Sequence, residues 1–200
     1  MKKQRLWLLV VLILMAIVGT LILRAQDAAA LRPPKGAKVA LVVFEDMQCP
    51  DCARAHPLVE EAKKTYKIPV VRYDFPLPMH TWSYDAALYG RYFDTKSAKL
   101  GDDYRTEVFA HQVEITKENL RAFTEKFAAA HKVLLPAFID PQGKLAAKIS
   151  ADKALGQRIG ITHTPTLYVA TNKTSGTPFV EVVDRSKLYQ MIDEALRETK

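Results

Sequence analysis

The chain holds two cysteines, Cys49 and Cys52, separated by Pro50 and Asp51. A dithiol so spaced can close as a disulfide, exchange with other thiols, or bind a soft metal. Because both cysteines lie in one motif, no partner is left for a structural disulfide. Zinc normally takes four ligands, and a second Cys-x-x-Cys or a His pair is missing. Copper needs fewer ligands, and His163 offers an imidazole. The residue types therefore favour redox work by Cys49 and Cys52 with no metal and no organic cofactor, and leave metal handling or redox sensing as the rival readings.

The flanking elements decide how such a dithiol behaves. An apolar, β-branched run from Val39 to Phe44 leads into it, and a helical pattern from Ala53 to Lys67 leads out. That puts Cys49 at a helix start, where unpaired N–H groups and the helix dipole stabilise an anion. A thiolate there is expected to fall below the ordinary pKa of about 8.5. Pro50 suits the first helical turn, where its missing N–H costs nothing. Cys52 lies one turn inward, within reach of Cys49. Asp51 is expected to act against the thiolate by like-charge repulsion, giving a milder oxidant than a Cys-Pro-His-Cys pair.

Further along, Pro57 should bend the helix, with Leu58, Ala62 and Tyr66 facing a sheet. Val70 to Phe75 reads as a second strand, which completes a βαβ unit with a right-handed crossover. From His80 to Lys132 helical spacing replaces strand signals. One helix runs through Ala86 to Phe93 and another from Asp102 to Gln112. A third is capped by Thr116, with Leu120, Phe123, Phe127 and Ala130 on one face. The aromatics of this stretch read as core, and His56, His111 and His131 as surface or boundary residues. Then follow a helix from Ala151 to Ile159 closed by Gly160, strands Thr166–Ala170 and Phe179–Val183, and a final helix Ser186–Arg197. Its buried stripe is Leu188, Met191, Ile192 and Ala195, with Leu196 at the edge.

Apolar residues make up 48%, enough for a sizeable core, and the formal charge is +7. Lys2, Lys3, Arg5 and Arg24 supply four of those charges and no acid precedes Asp27, so only +3 remains for residues 25–200. No basic stripe interleaves with aromatics, which argues against nucleic acid as a partner. Leu6 to Leu23 is uncharged over 18 residues, near the lower length limit of a membrane helix and longer than a signal-peptide core. The bases before it favour a cytoplasmic amino end. Residues 1–24 are thus expected to be a single-pass anchor, with a signal peptide cleaved near Ala28-Ala29-Ala30 as the alternative. Residues 25–36 form a linker, and residues 37–200 the extracytoplasmic domain.

Four features together resemble the thioredoxin superfamily, and within it the DsbA-like branch that carries a helical insertion. They are Asp46-Met47-Gln48-Cys49-Pro50-Asp51-Cys52, similar to the family's D-F-x-C-P-x-C; Pro57; Tyr73-Asp74-Phe75-Pro76-Leu77 followed by His80; and Gly160-Ile161-Thr162-His163-Thr164-Pro165-Thr166-Leu167-Tyr168-Val169, similar to G-V-x-G-T-P-T-x-F-V. The resemblance implies an α/β, thioredoxin-like fold with an inserted helical subdomain at about 80–132; the Leu6–Leu23 run is expected to precede it as one N-terminal transmembrane helix. It implies that Pro165 is cis and that Thr164 and Pro165 bind an extended client chain by strand addition. It implies a periplasmic protein disulfide oxidoreductase whose partners are client proteins with cysteine thiols and a membrane redox protein the sequence does not identify. Reductase or isomerase is the alternative direction within the same fold. The family's buried acid, six residues before the first cysteine, is here Val43. Glu45, on the same strand face, is the candidate replacement for tuning the inner thiol. His163 takes the place of a small residue two before the proline and is expected to line the site.

Overall fold

The computed structural model describes residues 30–174 and 176–199. The anchor expected over Leu6–Leu23 lies outside them, and among the described residues no helix is long and apolar enough to cross a membrane.

Strand β1, Val39–Glu45, is buried at every position. It is internal in a four-stranded sheet of order β2-β1-β3-β4, covered on both faces, which is why its sequence is nearly all apolar. It runs parallel to β2 (Val70–Asp74), with Leu41 opposite Val70, and antiparallel to β3 (Thr166–Thr171), with Val43 opposite Leu167. Strand β4, Phe179–Glu181, forms the edge and stops two residues short of the expected Val183.

The two-residue period of β1 sorts its side chains into two cores. Val39, Leu41 and Val43 meet Val59 and Ala62 of helix α1 (Pro50–Tyr66) and Leu188, Ile192 and Ala195 of the last helix. Leu58 and Tyr66 pack half-buried at the edge of the same cluster. Val42 and Phe44 point the other way, to Phe75, Tyr168 and Leu155.

Between β2 and β3 lie α2 (Ser83–Asp94), α3 (Ala98–Ala110), a short 3-10 turn (Gln112–Glu114), α4 (Leu120–Ala130) and α5 (Lys144–Ile159). Chain order closes with α6, Leu188–Glu198. Phe93, Tyr104 and Phe127 pack mutually in tilted and edge-to-face arrangements, with ring centroids 4.8, 5.0 and 5.2 Å apart. The insertion's aromatics are therefore core, as expected.

Helix α1 begins at Pro50 rather than Ala53 and α6 at Leu188 rather than Ser186; three further starts differ for identifiable reasons. Helix α3 begins at Ala98, because Ser97 caps it by accepting the Leu100 N–H. Helix α4 begins at Leu120. Thr116 and Asn119 exchange hydrogen bonds in the turn before it, and its buried side is Leu120, Thr124, Phe127 and Ala128, with Ala130 exposed. Helix α5 begins at Lys144, seven residues before the expected Ala151. Its N-cap is Gly143, without a capping side chain; the Asp140 carboxylate instead accepts the N–H groups of Leu145 and Ala146 at 3.1 and 2.8 Å. The added turns matter. Leu145 and Ile149 pack into the insertion's core, and Leu155 into the sheet's. At Gly156 the helix approaches so closely that a Cβ would come within 2.6 Å of the Phe75 ring. Gly160 ends the helix in the left-handed conformation, φ 87°.

The seam between sheet and insertion is ionic. Arg72 of β2 reaches Glu45 at 2.8 Å, Asp102 at 3.3 Å, and Glu60. The Arg105 side chain, 1% exposed, makes two 2.9 Å bonds to Asp94 and lies 3.6 Å from Glu45. Arg91 joins Asp74 to Asp152. His56 belongs to this interior rather than to the surface. Burial pushes its pKa down to about 4, so it is neutral, bonded through Nε2 to Thr106 Oγ1 at 2.9 Å and set against the Phe109 ring.

Candidate active site

Cys49 is the N-cap of α1, in extended conformation at φ −74°, ψ 119°, with Pro50 at the first helical position. Pro50 is exposed; Cys49 is 7% and Cys52 2% exposed. Both sulfurs are free thiols. The Thr164–Pro165 bond is cis, as the resemblance implies. The Thr164 carbonyl accepts a hydrogen bond from Cys49 Sγ–H at 3.2 Å.

The two thiols have opposite acidities. Cys49 is lowered to about 5. The largest cause is a hydrogen bond from the Cys52 side chain, helped by the Thr164 side chain and the backbone N–H groups of Asp51 and Cys52, while burial works against it. The Thr164 hydroxyl is buried and has no partner beside the protonated thiol. When Cys49 ionises, its own donor disappears and this free hydroxyl can turn to the sulfur. Cys52 goes the other way. Burial pushes its thiol far above the ordinary range, with further upward pressure from Cys49 and from the Glu45 charge. Its sulfur accepts the Asp46 N–H at 3.4 Å. A stable thiolate beside a protonated inner thiol is an arrangement suited to thiol–disulfide exchange.

The expectation for Asp51 needs correction. Its carboxylate does not face the thiolate as a bare charge. Arg185 Nη2 bonds both its oxygens, at 2.7 and 3.0 Å, and Arg54 bonds one at 3.1 Å. The Arg185 bond holds the Asp51 carboxyl below the usual carboxylate range. Arg185 lies 134 residues away in sequence, so nothing local to the Cys-x-x-Cys motif announces it.

The loop before the dithiol is tied to the insertion by residues to which the sequence reading gave no role. Asp46 is buried and accepts from Gln48 N, Leu77 N, His80 Nδ1 and Ser83 Oγ at 2.8, 2.7, 2.7 and 2.5 Å. Gln48 Oε1 takes the N–H groups of Trp82 and Ser83, at the start of α2. Gln112 Nε2 donates to the carbonyls of Met47 and Cys49 at 2.8 and 3.1 Å. Asp46 stood inside the recognised motif, which was its one signal; Gln112 had none.

Of the remaining candidates, Thr164 and Pro165 join the dithiol, whereas Glu45 and His163 do not touch it. Glu45 is 4% exposed and held by Arg72 in the seam behind β1, acting on Cys52 by its charge alone. His163 is exposed, 3.5 Å from Thr162 Oγ1. It lines a cleft of about 200 Å³ with Asp51, Pro165, Val183 and Arg185. Among the described residues no three His, Cys, Asp or Glu side chains are grouped to hold a metal ion.

A βαβ unit with a dithiol at its helix start, facing a cis-proline loop that begins an antiparallel strand, defines a thioredoxin-like protein with a helical insertion. The chain belongs to the thioredoxin family, whose model, described as "Thioredoxin", matches residues 34–193. Comparison with curated protein sequences gives no match. Among solved structures the chain is similar to a variant of Wolbachia pipientis alpha-DsbA1, with TM-score 0.70 and 18% identity, covering 87% of this chain and 99% of that one. It is also similar to the catalytic domain of Proteus mirabilis ScsC, with TM-score 0.65 and 21% identity, over 86% of this chain and 96% of that one. A third is a periplasmic thioredoxin-like protein from Salmonella enterica serovar Typhimurium, with TM-score 0.64 and 18% identity, over 84% and 91%.

Proposed function

We propose that the protein is an extracytoplasmic thiol–disulfide oxidoreductase that oxidises the thiols of client proteins. The observation that carries this reading is the split acidity of the pair, a thiolate at Cys49 against a protonated thiol at Cys52. A thiolate of pKa about 5 stabilises the reduced pair, and a reduced form so stabilised makes the disulfide a strong oxidant.

In the oxidising direction a client thiolate attacks the Cys49 sulfur of the Cys49–Cys52 disulfide. The client–Cys49 bond forms and the Cys49–Cys52 bond breaks. Cys52 leaves with the electron pair and takes up a proton, as its high pKa demands. A second client thiolate then attacks the client sulfur of the mixed disulfide, and Cys49 departs as a stable thiolate. The client gains a disulfide and loses two electrons, which the protein holds in its dithiol. A membrane redox partner would take them away. Neither metal nor organic cofactor enters these steps.

Thr164 and Pro165 would hold the client as an added strand, with main-chain bonds that tolerate many sequences. Exposed Val113, beside Gln112, and Val183, in the cleft with Pro165, offer apolar contacts to partly folded chains. The Leu6–Leu23 run would tether the domain to the membrane, with the amino end cytoplasmic. The periplasmic description of the Salmonella neighbour supports an extracytoplasmic site.

The test is the reduction potential of the detergent-solubilised full chain, by equilibrium with glutathione. A value well above the roughly −270 mV of thioredoxin, towards the roughly −120 mV of DsbA, is expected. A value at or below thioredoxin's would overturn the oxidase reading and make the protein a reductase.

A further inference from the structure

We propose that Arg185 is a positioning residue for the reactive thiol: it grips Asp51 and cancels, from the far end of the chain, an acidic charge built into the dithiol motif. Asp51 is the second residue of α1, and its own N–H is one of the donors that face the Cys49 sulfur. Arg185 holds this residue at three points. Nη2 takes both carboxylate oxygens, at 2.7 and 3.0 Å, and Nη1 reaches the Asp51 carbonyl at 3.4 Å. A planar guanidinium can do this and a lysine cannot. The clamp is itself fixed. Arg185 opens the 3-10 turn Arg185–Lys187, whose Asp184 cap accepts from Ser186 N and Oγ at 3.0 and 2.7 Å. Arg54 also meets Asp51, but its side chain is 69% exposed against 35% for Arg185, so it is the weaker and more screened partner.

Without Arg185, Asp51 would stand two residues from Cys49 with its charge largely uncancelled, and would oppose ionisation there. With it, the first turn presents its N–H groups to the sulfur without a competing anion. The clamp also forms part of the cleft that holds Pro165 and His163, so a client lying along the cis-proline loop passes over it. Its bearing on client oxidation rests on the function proposed above; its bearing on Cys49 does not, and can be read without any client.

The experiment is the pH dependence of iodoacetamide alkylation of the reduced full chain, which reports Cys49 because Cys52 is buried and protonated. Wild type, Arg185→Met, Asp51→Asn and the double variant are compared. Arg185→Met should raise the midpoint and slow alkylation at pH 5 by about two- to fivefold, equivalent to a shift of half to one pKa unit from a thiol half ionised at that pH. Asp51→Asn, which leaves Arg185 unopposed, should lower the midpoint. The double variant should return to within about twofold of wild type at pH 5, since neither charge remains. An unchanged midpoint in Arg185→Met, or a double variant that keeps its shift, would overturn the proposal. Should Arg185→Met not fold, a raised midpoint in Asp51→Asn would overturn it equally. None of these results depends on the reduction potential, so each hypothesis can fail alone.

Discussion

The seam behind β1 and the rim in front of it use polar groups in opposite ways. At the seam, buried full charges meet full charges. Arg72 and Arg105 flank Glu45, and Arg91 joins Asp74 to Asp152. At the rim the donors that stabilise a Cys49 thiolate are uncharged: the Cys52 thiol, the Thr164 hydroxyl and two backbone N–H groups. The acid inside the motif, Asp51, is already paired. The difference follows from permanence. The seam's charges do not come and go with the redox state of the dithiol, so a fixed countercharge holds the parts in place. The Cys49 charge vanishes whenever the disulfide forms. A buried cation kept for it would then be left unpaired, at a cost of several kcal/mol. Neutral dipoles host a transient charge without that penalty.

Breaking the seam should give the largest effect. Arg105→Met removes the two 2.9 Å bonds to Asp94 and one of the two cations that flank the buried Glu45, and should cost about 3–5 kcal/mol in urea unfolding. The alkylation midpoint of Cys49 should stay where it was. A midpoint that moved with the stability would show that the two regions are one electrostatic unit.

The rim should show itself through pH. Cys49 titrates near 5 in the folded reduced protein and near 8.5 when unfolded. Its thiolate therefore stabilises the reduced fold fully above the unfolded pKa, and that contribution is lost as pH falls through 5. Between pH 5 and 7 the stability of the reduced form relative to the oxidised should rise by about 2–3 kcal/mol. Groups common to both forms cancel in the difference, and Cys52 adds nothing until the unfolded thiol begins to ionise. Paired urea titrations of both forms at the two pH values would measure it, and a flat difference would mean that the rim does not stabilise the thiolate.

The smallest change should come where seam and rim are joined by neutral bonds. Gln112→Ala removes the two bonds to the Met47 and Cys49 carbonyls and should cost about 1–2 kcal/mol. The Cys49 midpoint should move by less than about half a unit, because these carbonyls are acceptors and do not touch the sulfur.

The sequence made the fold legible where period and punctuation agreed. The β1 run, Pro57, the Thr164–Pro165 loop and the Leu188–Ala195 stripe stand where they were expected. The start of α5 was not legible because its free N–H groups are served by Asp140, beyond a glycine N-cap that carries no signal of its own. The seam was not legible because a charged residue in a strand reads as solvent-facing. Glu45 and Arg72 contradict that only through each other, 27 residues apart. The dithiol and its proline loop were visible as motifs, but the clamp on Asp51 was not. A motif records neighbours in sequence, and Arg185 is a neighbour only in space.

Helix α5 gives the insertion a different standing from a cassette. Its first turns belong to one lobe, through Leu145 and Ile149, and its last turns to the other, through Leu155 and the glycine pressed on Phe75. No cut in the chain separates the lobes without dividing this helix or stripping a face of the sheet. The two lobes are therefore inherited and lost together. A recombination that swapped in another family member's insertion would have to carry all of residues 144–159 with it, and would have to match the ring that meets Gly156.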